Sequence, residues 1–250
     1  MKINFFEEFP KKENLKKAKL INFKSTVFIA AKNLKEFHSH AQYLKKINKK
    51  ITPAYWPVLK KSEGYWLSPF SQTKALQRIF KQLQNNKNKL TVLLDLEFPT
   101  HQPSLFIKNI LRFFKNKRII NQFIKNKPKN LTLVTAEYIL ENKIINFFLS
   151  FLGIHIKNKN ISERIFMCYT SMARNDFFKE LMYKNIQKHP SLGLGTIATG
   201  ILGHEPILTP TNLQKDLNLA KDSKVKTATI FRLGGLNKDY LKVINNFKSN

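Results

Sequence analysis

Asp95 and Glu97 stand two residues apart near the end of Leu-Thr-Val-Leu-Leu-Asp-Leu-Glu-Phe-Pro, residues 90–99. The residues before Asp95 are apolar or β-branched without interruption, as in a strand buried on both faces, and Pro99 stops the strand. Side chains on a strand alternate, so the two carboxyls share one side, with Cα atoms roughly 6.5 Å apart. Burial and mutual repulsion can hold one of two such groups protonated near neutrality, the state a general acid needs. The same residues also suit a plainer role, an acidic strand end that caps the next helix or pairs with a lysine. Their surroundings must decide.

Those surroundings are a regular alternation. Apolar strand-like runs fall at 2–6, 26–31, 51–56, 90–96, 131–136, 164–169, 192–198 and 225–231. Between them lie segments with helical periodicity, among them 33–47, 73–84, 138–151, 174–187 and 211–220. Eight strand-helix units with short connections predict a parallel sheet closed into a (β/α)8 TIM barrel, in one domain over 1–250. Pro53 and Pro57 weaken the third strand. No linker, low-complexity tract or internal repeat interrupts the series.

In such barrels the site forms where the strands end. The strand-end residues are Glu7, Glu8, Lys32, Tyr55, Trp56, Asp95, Glu97, Glu137, Tyr138, Tyr169, Thr170, Thr199 and Arg232, and they include five of the chain's 16 acids. Residues 54–70 carry both tryptophans, in the pairs Tyr55-Trp56 and Tyr65-Trp66. Such a loop either buries its rings as an anchor or stacks them on a ligand, and the apolar C–H faces of sugars suit the second use. Glu7, Tyr55, Trp56, Tyr65, Trp66 and Arg232 are therefore the expected substrate-binding residues.

The motif Leu-Asp-Leu-Glu-Phe-Pro at 94–99 resembles the fourth-strand signature of family 18 glycoside hydrolases, the chitinase-like barrels. The resemblance implies that Glu97 protonates a glycosidic oxygen while Asp95 orients a substrate acetamido group that acts as nucleophile. Phe-Met-Cys-Tyr at 166–169 resembles the family's sixth-strand Met-x-Tyr-Asp, which makes Tyr169 a further catalytic candidate. Family 25, the lysozyme-like barrels, is similar at the same strand end. The sequence departs from the chitinase pattern at Leu90 and Leu93, where that pattern has acids, at Thr170 in place of aspartate, and at Phe231-Arg232 in place of tryptophan.

Other residues support other chemistry. Glu137 ends the strand beside that of Glu97 and can couple to it as a fourth catalytic candidate, or it can complement a helix dipole. Glu205 reaches the mouth only if its loop folds back. Gly234 and Gly235 after the eighth strand, with Arg232, match a phosphate cradle for a phosphorylated metabolite. A non-catalytic carbohydrate-binding barrel is the remaining alternative. The histidines form no His-Glu-x-x-His pattern, so no metal and no cofactor is expected. Cys168 alternates with Tyr169 and faces the other side of its strand, which disfavours nucleophilic cysteine chemistry.

The formal net charge is +28, yet only six of the 44 basic residues are arginine. Lysine spread over every solvated face is not the arginine-containing stripe of a specific nucleic-acid binder, so none is expected. No apolar run approaches the ~18 residues of a membrane span, so the expected partner is a small-molecule or oligosaccharide substrate and not a membrane. Two acids near the start, Glu7 and Glu8, break any signal-peptide core, and a cytoplasmic location is expected.

Overall fold

The structure, a computed structural model, describes residues 1–97, 104, 112–138, 143–173 and 175–248. Its eight strands are β1 (Lys2–Glu7), β2 (Ser25–Ala31), β3 (Ile51–Pro57), β4 (Leu90–Asp95), β5 (Leu131–Glu137), β6 (Ile161–Met167), β7 (Ser191–Gly195) and β8 (Thr227–Phe231). All pair in parallel, in sequence order, and β8 returns to β1 to close a barrel. The described helices are α1 (Lys12–Lys16), α2 (Leu34–Ile47), α3 (Thr73–Asn85), α4 (Phe113–Lys125), α5 (Lys143–Phe151), α6 (Asp176–Lys188), α7 (Pro210–Asp222) and α8 (Lys238–Asn245). The expected (β/α)8 barrel is the observed one. Phe98 and Pro99 of the fourth-strand motif lie outside the described residues.

Four helix starts, those of α2, α6, α7 and α8, follow short polar side chains. Asn33 accepts from the Glu36 N–H, Asn175 from Phe178 and Thr209 from Asn212, with Pro210 in the first turn of α7. The third strand survives its prolines for a directional reason. The Val58 N–H donates to Ala31 of β2, so even-numbered residues of β3 face β2 and odd-numbered ones face β4. Pro53 and Pro57 thus remove donors only from the β4 side. Seven residue pairs register with β2 and one, Tyr55 with Val92, registers with β4.

The sheet is apolar on both faces, and each face has its own packing. Phe6, Phe28, Trp56, Leu93, Val134, Ile165 and Met167 point into the lumen. Phe5, Ile29, Tyr55, Leu94, Leu133, Phe166 and Leu194 point outward against the helices. These are two concentric layers of one barrel. Which layer a strand-end residue belongs to determines whether it can reach the mouth.

Candidate active site

The inward phase of β4 carries Leu93 and then Asp95, and Glu97 lies two residues further on the same side. Leu96 between them packs outward in the helix layer and fixes that phase. Asp95 registers with Ala136 of β5, whose methyl leaves space beside the carboxyl. That space is part of a cavity of about 410 Å³ at the C-terminal ends of the strands. Phe6, Ala136, Met167 and Phe231 line it together with Trp56, Trp66, Tyr138 and Tyr169. Trp56 meets Phe6 edge to face at 5.7 Å, and Tyr169 meets Tyr138 edge to face at 6.4 Å. Volume and lining both suit a small organic ligand.

Four carboxyls face into this aromatic cavity: Glu8, Asp95, Glu97 and Glu205. No lysine, arginine or histidine is among its described lining residues, in a chain with 44 basic side chains. Glu8 accepts from the Tyr65 hydroxyl at 2.8 Å through Oε1. Glu205 accepts from the Leu202 N–H at 3.0 Å through Oε1. Their Oε2 atoms, and Asp95 Oδ1, are buried without a hydrogen-bond partner among the described residues. Buried acceptors of this kind are costly unless a ligand satisfies them. Gly200 allows the loop after β7 to approach: a Cβ there would lie 2.7 Å from Glu8 Oε2 and 2.8 Å from Glu205 Oε1.

Burial without cations raises the pKa values of Asp95, Glu97 and Glu8. Desolvation pushes Asp95 up to about 7, opposed by its contacts with the Glu97 and Trp56 side chains. Desolvation first, and the Asp95 charge second, hold Glu97 well above the usual carboxylate range. Glu8 is pushed up to about 7 by burial, reduced by the Tyr65 hydrogen bond and raised again by the charges of Asp95 and Glu205. Two adjacent carboxyls that are buried and coupled share a proton, and the pair offers both an acid and an anion at one place.

The other expected residues sit elsewhere. Glu7 points out of the lumen, where its carboxyl accepts from Phe9 N at 2.8 Å, Gly234 N at 2.6 Å and Arg232 Nη1 at 3.0 Å. The expected phosphate cradle of Gly234 and Arg232 therefore already holds a carboxyl of the chain itself. Arg232 also donates from Nε to Thr199 O at 2.9 Å. Glu137 likewise faces the helix layer, with Arg164 Nη2 at 2.7 Å, His155 Nδ1 at 2.8 Å and Thr135 Oγ1 at 2.5 Å. Burial acts to raise the Glu137 pKa, but the bonds from His155 and Arg164 outweigh it and leave it lowered. Tyr55 packs outward on Phe37 at 5.1 Å. Of the expected set, Asp95, Glu97, Tyr169, Trp56 and Trp66 line one cavity, and Tyr65 joins them through Glu8. Glu7, Tyr55, Glu137 and Arg232 do not. Glu8, Tyr138 and Glu205 enter in their place.

Comparison with known proteins adds the fold. No protein-family model and no curated protein matches the sequence. Among solved structures, the chain superposes on the PgaB (BpsB) glycoside hydrolase domain from Bordetella bronchiseptica with a TM-score of 0.58 at 10% identity, over 100% of this chain and 99% of that one. It superposes on a family GH18 chitinase from Cycas revoluta, solved in complex with allosamidin, with a TM-score of 0.55 at 10% identity, over 99% of each chain.

Proposed function

Starting from a GH18-like barrel fold, we propose that the protein is a glycoside hydrolase in which Glu97 is the general acid and Asp95 its electrostatic partner. The observation that carries this reading is the Asp95–Glu97 pair, raised together by burial, in a cavity whose described lining has four carboxyls and no cation. Protonated Glu97 donates to the glycosidic oxygen as the C–O bond to the anomeric carbon breaks. Positive charge then develops on the ring, and the cavity's remaining carboxylates stabilise it in a low-dielectric setting. Trp56 and Trp66 supply apolar surface for sugar faces, and the Tyr138 and Tyr169 side chains border the same space. On the resemblance to family 18, Asp95 also orients an acetamido group, so N-acetylated oligosaccharides are the first substrates to try. In this reading Glu7–Arg232 and Glu137–Arg164 hold strand ends in place and do not touch substrate.

Glu97→Gln keeps shape and hydrogen bonding but removes the transferable proton. Assayed by reducing-end release from N-acetylated and plain oligosaccharides, its turnover is expected to fall about 10²–10⁴-fold while calorimetric binding of the same sugar persists. A folded Glu97→Gln protein with full turnover refutes the assignment. Binding by both proteins with turnover by neither identifies a carbohydrate-binding barrel instead.

A further inference from the structure

Away from the cavity, α4 and α5 present large apolar side chains to solvent. Phe114 on α4 is 69% exposed, and Phe147, Phe148 and Phe151 on α5 are 69%, 56% and 49% exposed. Residues three and four apart share a helix face, so Phe147 and Phe148 lie on the side of Phe151. Phe114 meets Phe151 edge to face at 6.4 Å, which joins the two helices into one patch. Single exposed apolar residues are ordinary, but a contiguous group marks a contact surface.

The charge on these two helices has one sign. The two helices hold five basic residues, Lys115, Lys117, Arg118, Lys125 and Lys143, and no acid. Lys115 and Arg118 are exposed on α4 beside Phe114. Lys117 reaches across to α5, donating from Nζ to Phe151 O at 2.6 Å, with its charge 5.2 Å from the centre of the Phe151 ring.

We infer that this α4–α5 face docks on an anionic lipid surface, with the phenylalanines in the interfacial layer and the flanking cations against the head groups. Phenyl rings gain from a hydrocarbon boundary, and a basic rim supplies the second signal that reversible attachment requires. Charge complementarity selects this occupant, because a second copy of the chain would set the same basic surface against itself. A nucleic acid would satisfy the cations, but base stacking uses open ring faces, and here rings meet each other edge to face. Attachment of this kind needs no spanning segment, and among the described residues no helix is long and apolar enough to cross a membrane. The surface is separate from the cavity and does not depend on the reaction proposed for it.

Flotation of the full chain with phosphatidylcholine vesicles, and with vesicles of roughly 30% phosphatidylglycerol, tests the inference. The chain is expected to float with the anionic vesicles, less so at high salt, and not with the neutral ones. Phe147→Ser/Phe148→Ser is expected to lower the partition about tenfold or more at an unchanged melting temperature. Lys115→Glu/Arg118→Glu lowers it independently, which keeps the test decisive if the first variant folds poorly. Failure of the wild type to float with anionic vesicles overturns the inference. So does equal flotation of the folded phenylalanine variant, which reduces the effect to adsorption by charge. A dimer or a complex with an RNA homopolymer that those phenylalanines maintain, without vesicle binding, assigns the face to that partner instead.

Discussion

Asp95 and Glu97 illustrate how a site is set by what is missing around it. Cationic partners can outweigh burial, as Arg164 and His155 do in keeping the Glu137 pKa low. The Asp95–Glu97 pair has no such neighbour in the described lining, so burial is the first cause of the rise in both. This predicts a pH dependence with a definite sign. Glu97 must be protonated to act as an acid, so activity falls as pH rises through its pKa, and that alkaline limb belongs to the coupled pair. Asp95→Asn removes the charge that helps to hold the proton on Glu97. The alkaline limb of the kcat profile is therefore expected to move to lower pH, without reaching the ordinary carboxylate range because burial, the larger cause, remains. A variant whose limb stays in place or moves upward contradicts the coupling.

At the scale of elements, strand phase separates residues of the cavity from residues of the frame. The segments that became strands were legible because a parallel strand covered on both faces is a continuous apolar run. The same continuity conceals which residues point inward. In Phe5-Phe6 and in Leu133-Val134 both faces are apolar, so these neighbours did not show that Glu7 and Glu137 face the helices while Glu8 faces the lumen. The Asp-x-Glu pair escaped this problem because its two residues share a phase whichever side that is. The early start of β6 is hidden by Ser162 and Glu163, which are polar, and Arg164 belongs to the frame. Glu205 was discounted because its loop had to fold back, and Gly200 allows just such an approach. A frame residue and a site residue fail differently when mutated. Glu137→Ala leaves Arg164 and His155 without their buried anion and is expected to cost about 2–4 kcal/mol in urea unfolding. The surviving folded fraction should turn over substrate at close to the wild-type rate, whereas Glu97→Gln should do the reverse.

For the whole molecule, a chain with a net charge of +28 encloses an uncompensated acidic cavity, and the two have opposite responses to pH. Glu8, Asp95 and, outside the cavity, Glu7 titrate in the folded state at about 7, above the ordinary values of 4.5 for Glu and 3.8 for Asp. A folded state with raised carboxyl pKa values binds more protons than the unfolded chain, so stability falls as pH rises between those limits. The contribution is complete below the unfolded pKa and is lost by the time the folded pKa is passed. Glu137 and Glu63 are lowered, so their contribution is present above the ordinary value and fades as pH falls below it. Protonating the remaining surface acids also leaves the positive charge less opposed. Melting temperature is therefore expected to peak in mildly acidic solution and to decline toward neutrality, contrary to the usual rise through that range. Glu8→Gln isolates the cavity's share, since the amide oxygen can still accept from Tyr65 and the side chain no longer ionises. Each pKa unit is worth about 1.4 kcal/mol, and for a chain of this length 1 kcal/mol moves the melting temperature by roughly 2–4 °C. The variant should thus melt several degrees above the wild type at about pH 8 and together with it at about pH 4.5. A constant offset across that range would show that Glu8 acts through packing and not through its charge.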